Sequence, residues 1–182
     1  MNREQFLLVL DRVSRVLPDE IEVVVIGSQA AHAWDEDLPV AVLRSREVDV
    51  APIDDPDEEK AHRINWVMGE LSAFDEEHDV YAEGLSIDLF VGPDGWLSRC
   101  KRVRVPRVDG TSLTVLCPEL HDLCIAKLIA GREQDQMFVT ALVRGSKVDP
   151  DWLEHLLSGT GASQHELERA RRMIAAARQP RA

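Results

Sequence analysis

Apolar positions recur along this chain in two rhythms, and the change from one to the other divides it. In residues 3–17, Phe6, Leu10, Val13 and Leu17 fall three or four apart, the spacing of a helix with one buried face. Pro18 ends the run, because proline cannot continue a helix. Ile21 to Ile26 is nearly all β-branched and predicts a buried strand. Gly27-Ser28 punctuates it, and Gln29 to Trp34 reads as the start of a helix. A second strand is expected from Glu47 to Ile53, stopping near Pro56, and an amphipathic helix over residues 57–73. Leu85 to Val91 alternates as a third strand before the turn Gly92-Pro93-Asp94-Gly95. Segments 101–105 and 112–116 predict a hairpin around Asp109-Gly110. From Pro118 onward the rhythm is helical, with breaks near Gly145, Pro150 and Gly159-Gly161. The expected architecture is α/β: a core over residues 1–117 with a small mixed sheet and flanking helices, then a helical region over 118–182 packed on it.

Composition narrows the class. Apolar and charged shares of 45% and 30% are those of an ordinary soluble domain. No apolar run approaches the roughly 20 residues of a membrane span, so no membrane partner is expected. The opening Met-Asn-Arg-Glu-Gln-Phe is polar and acidic where a secretory leader is apolar, which makes the cytoplasm the expected location. Cys100, Cys117 and Cys124 are odd in number and lack Cys-x-x-Cys spacing, the pattern of reduced core thiols.

A formal charge of −12 excludes a surface that grips nucleic acid all round. The acid is concentrated at 54–59 and 75–79, while two basic runs stand apart. One comprises Arg99, Lys101, Arg102, Arg104 and Arg107; the other Arg169, Arg171, Arg172, Arg178 and Arg181. Such runs either hold one end of an RNA or form solvated faces.

Charge placement within the strands points to chemistry. In Arg46-Glu47-Val48-Asp49-Val50, strand alternation puts Glu47 and Asp49 on one face, about 7 Å apart along the chain. Two carboxylates so placed either share a cation, for which magnesium with its oxygen ligands is suited, or form a solvated acidic edge. Asp88 interrupts the apolar run 85–91, and a charged acid there needs either the same metal or a cationic partner such as Arg46 or Lys127. Glycine at 27 lets a ligand approach the backbone, and Ser28 can cap the next helix or contact phosphate. Lys127 sits on the apolar stripe of a helix expected over 119–131 with Leu120, Leu123, Cys124 and Leu128. Its ammonium must meet a phosphate or an acid such as Asp135, or reach solvent.

Gly27-Ser28, Ser45-Arg46-Glu47-Val48-Asp49 and a later strand acid together resemble the signature of the polymerase β superfamily of nucleotidyltransferases. Pro118-Glu-Leu-His-Asp-Leu-Cys-Ile-Ala-Lys127, followed by Arg132 and Asp135, is similar to the Lys…Arg…Asp helix of small bacterial members, the AbiEii-type and MenT-type toxins. The resemblance implies transfer of a nucleotide from an NTP, with tRNA 3′ ends as acceptor in some members and an antitoxin protein as partner. It implies Mg2+ held by Glu47, Asp49 and Asp88, and a nucleotide held by Gly27, Ser28, Ser45, Arg46, Lys127 and Arg132. Asp49, Asp88, Lys127 and Asp135 would be the catalytic set. One departure is Glu47, where the family usually has aspartate. A protein hydroxyl or a small cationic molecule as acceptor, or a silent member that only binds, are the alternatives.

Overall fold

Residues 1–179 are described by a computed structural model, in which a five-stranded mixed sheet is flanked by helices. Helix α1 (Arg3–Val16) opens with Asn2 and Gln5 capping each other reciprocally and buries Phe6, Val9, Leu10 and Val13. Strand β1 (Glu22–Val25) follows, then a short 3₁₀ helix (Ser28–Ala33), β2 (Glu47–Pro52), α2 (Glu59–Met68), α3 (Ala73–His78) and β3 (Tyr81–Gly84). The short α4 (Trp96–Arg99) leads into the hairpin of β4 (Lys101–Pro106) and β5 (Ser112–Cys117). Four helices complete the described chain: α5 (Leu120–Ala130), α6 (Glu133–Arg144), α7 (Pro150–Leu157) and α8 (Gln164–Arg178).

The sheet order is β3-β2-β1-β5-β4. Strand β1 lies at its centre, antiparallel to β2 and parallel to β5, and β2 pairs in parallel with β3. The two edges are therefore β3 and β4. Lys101, Arg102 and Arg104 are exposed along β4, with Pro106 at its end. Arg181 of the second basic run lies outside the described residues.

One face of β2 carries Val48 and Val50, both fully buried in the core. Helix α2 comes down on the neighbouring β3 so closely that a side chain at Gly84 would meet the carbonyl oxygen of Ala61 at 2.2 Å. Asn65 holds this contact from both sides, donating to the Gly84 carbonyl at 2.9 Å and accepting from its N–H at 2.7 Å. The opposite face of β2, with Glu47 and Asp49, is left to the helical region.

Two expectations are corrected, and a third holds. The third strand is not residues 85–91 but Tyr81–Gly84; Ile87–Leu89 is a 3₁₀ turn with Leu89 exposed. The helix expected over 57–73 breaks at Gly69, and Leu71 turns to a left-handed conformation (φ 64°). The helix through Lys127, expected over 119–131, runs Leu120–Ala130 and stops at Gly131 (φ 70°), whose N–H caps the Lys127 carbonyl at 2.9 Å; glycine is favoured there because it adopts positive φ without a Cβ clash.

Candidate active site

Register decides what the carboxylate face presents. On adjacent parallel strands Glu47 pairs with Tyr81 and Asp49 with Glu83, so all four side chains emerge on one face. One carboxylate oxygen from each of Glu47, Asp49 and Glu83 lies within 4.8 Å of the others. Gly27 sits directly beneath: a Cβ there would fall 1.8 Å from the Asp49 Oδ2 atom. Any other residue at 27 would displace that carboxylate, a close-approach requirement only glycine meets.

These carboxylates form one wall of a cleft of about 720 Å³. Gly27, Ser28, Arg44 and Ser45 line it beside them. Lys127, Arg132 and Asp135, with Met137 and Phe138, line it from the helical region. Asp135 is fully buried and both its oxygens are bonded. Lys127 Nζ donates to Oδ1 at 3.0 Å, while the Arg132 N–H and Nε donate to Oδ2 at 3.2 and 3.1 Å. The Lys127 ammonium also lies 5.5 Å from the Phe138 ring centroid. The result is a cationic wall facing an anionic one.

The anionic wall is electrostatically crowded. Burial first, and then the Glu47 charge, push the Asp49 carboxyl up to about 6, against the pull of Lys127 and Arg132. Burial, Glu47 and Glu70 raise the Glu83 carboxyl as well. A carboxylate held in this way is relieved by a cation among the three oxygens. An all-oxygen donor set with no nitrogen or thiolate suits a hard divalent ion rather than zinc or copper.

Of the residues singled out in the sequence, Gly27, Ser28, Ser45, Glu47, Asp49, Lys127, Arg132 and Asp135 line this one cleft. Ser28 is not a helix cap, since Gly27 takes that position; its hydroxyl accepts a long 3.4 Å bond from Gln29. Two residues lie elsewhere. Asp88 is exposed on the 3₁₀ turn and outside the cleft lining, so the third carboxylate of the cluster is Glu83, not Asp88. Arg46 turns away to Asp79 and to Asp75, 3.5 Å distant. Sequence reasoning missed Glu83, Tyr81 and Arg44. The signal for the first two was Tyr81-Ala82-Glu83, a polar-apolar alternation after Val80, passed over beside the longer apolar run that follows.

Residues 5–179 match the profile of a nucleotidyltransferase family of unknown function, DUF6036. The chain belongs to that family. No curated protein and no solved structure matches it. A nucleotidyltransferase draws its nucleotide from an NTP, and such enzymes use divalent metal ions, for which this chain has the acidic cluster.

Proposed function

We propose that this nucleotidyltransferase moves a nucleotide from an NTP to a hydroxyl of RNA, at the 3′ end of tRNA, as the toxin of a toxin–antitoxin pair, using Mg2+. The observation that carries the transfer itself is the facing of the Glu47–Asp49–Glu83 cluster by Lys127 and Arg132 across one cleft. Glu47, Asp49 and Glu83 hold the ion. When bound, Mg2+ neutralises phosphate charge and lowers the pKa of an attacking hydroxyl.

The chain's own residues do the rest by positioning and charge. Ser28 and Ser45 hydroxyls, beside the Gly27 turn, receive the triphosphate. Glu83, the most exposed of the three acids, accepts the proton as the acceptor oxygen bonds to the α-phosphorus. The bond from that phosphorus to the bridging oxygen breaks, and pyrophosphate leaves towards Lys127 and Arg132.

The RNA and toxin reading rests on the resemblance of the Lys127–Asp135 segment and on the exposed bases of β4. A second reading, a small cationic or protein acceptor, is favoured by how many basic groups are already engaged. Arg99 binds Asp122, Arg102 binds Glu22, Arg107 binds carbonyls of Ser14, Leu17 and Glu20, and Arg178 binds Asp151 and Glu154. The deciding experiment supplies Mg2+, each α-labelled NTP, and in separate arms total RNA, protein extract and aminoglycosides. Label in RNA upholds the first reading, and label in another arm upholds the second. No label in any arm, with the fold intact, rejects nucleotide transfer.

A further inference from the structure

Tyr81 is the sole tyrosine of the chain, and its phenol donates a 2.9 Å hydrogen bond to Glu47 Oε2. The contact follows from strand register, since the two residues are lateral partners on β2 and β3. The ring does not line the cleft, so it is not placed to touch a nucleotide.

Several groups fix that ring. The Tyr81 N–H bonds the Arg46 carbonyl at 3.0 Å, and the Arg46 guanidinium lies over the ring, 5.8 Å from its centroid. Arg46 is itself tied to Asp75 in the first turn of α3 and to Asp79, its C-cap. A path of contacts thus runs from α3 through Arg46 and Tyr81 to one oxygen of Glu47. Arg46 turns from the cleft because it is engaged in this path.

Glutamate has one more rotatable bond than aspartate, and a metal ligand that swings freely loses that freedom on binding. A carboxylate has room for about four hydrogen-bond or metal contacts, so one bond to Oε2 fixes the group without using it up. Partners that bond to metal ligands in this way set ligand orientation and metal affinity.

We propose that Tyr81 is a positioning residue, holding the Glu47 carboxylate ready for the divalent ion; the inference rests on the nucleotidyltransfer reading of the cleft. The test is a double-mutant cycle of wild type, Tyr81→Phe, Glu47→Asp and the double variant. Each is titrated with Mn2+ in a mixture of the four α,β-methylene nucleoside triphosphates, following free Mn2+ by electron paramagnetic resonance. Metal-free thermal melts are recorded alongside. Tyr81→Phe should weaken Mn2+ binding roughly 10-fold or more. Glu47→Asp draws the carboxylate back by about 1.5 Å, beyond reach of the phenol, so the double variant should bind no worse than Glu47→Asp. Unchanged Mn2+ affinity in Tyr81→Phe, or a drop in the melt alone, overturns the inference. So do fully additive losses, because Tyr81 would then act by a route other than Glu47. Wild type that takes up no Mn2+ rejects the cleft as a nucleotidyltransfer site and leaves Tyr81 nothing to position.

Discussion

Asp49 holds its proton more tightly in the folded chain than in the unfolded one, because burial and Glu47 push its carboxyl from the ordinary 3.8 up to about 6. The folded state therefore binds extra proton between those values, and stability falls as pH rises through that window. In metal-free protein the loss from Asp49 is at most about 3 kcal/mol at neutral pH. Asp49→Asn should flatten this dependence and raise the metal-free unfolding free energy at pH 7.5, read from urea titrations in EDTA at pH 4.5 and 7.5. An identical pH profile in wild type and variant would mean the three acids are not crowded. The same site separates two candidate third acids. Glu83→Gln should lower transfer by about 100-fold or more, on the scale of losing one charge-positioning group, whereas Asp88→Ala should leave it within about twofold, as expected for an exposed change. Initial rates with α-labelled NTP decide between them; the reverse order would restore Asp88. Glu47 and Asp49 were legible in the sequence because alternation on a strand needs no partner to be read. Glu83 was not, because its place depends on which segment pairs with β2.

At the scale of elements, the join between α5 and α6 fixes the cationic wall. Gly131 ends one helix, and Asp135 anchors the next by accepting from the Arg132 N–H while also receiving Lys127. Lys127→Met removes one of its partners but leaves Arg132. The expected destabilisation is roughly 2 kcal/mol, less than the roughly 3–5 of a fully stranded buried charge, with transfer reduced by about 100-fold or more. A chemical denaturation curve paired with single-turnover transfer checks both; undiminished transfer would remove Lys127 from the site. Helices α1 and α5 and the hairpin β4–β5 could be read in advance, since each has a strong period and a proline, glycine or Asp-Gly stop. Strand β3 could not. Its four residues are too few to show a period, and Gly84 is fixed by Asn65 and Ala61 of another helix. Leu85 to Val91 imitated a strand, yet Ser86 accepts from the Asp88 N–H and turns the chain instead.

For the molecule as a whole, one continuous core joins Phe6 and Val13 of α1 to Leu128 of α5 and Ile174 of α8. Cooperative loss of such a core should be all-or-none. Tryptophan fluorescence, with Trp34 and Trp66 in the first half and Trp96 and Trp152 in the second, should therefore melt together with far-ultraviolet circular dichroism. Two separated transitions would mean that the sheet and the late helices unfold independently. The basic run that first suggested RNA has a further effect at this scale. Three of its members lie on β4, an edge strand of the sheet. Two copies meeting there would bring Lys101, Arg102 and Arg104 against their own counterparts, and Pro106 offers no N–H to extend the ladder. Whatever else these side chains contact, they guard the chain against growing into fibrils by its own edge.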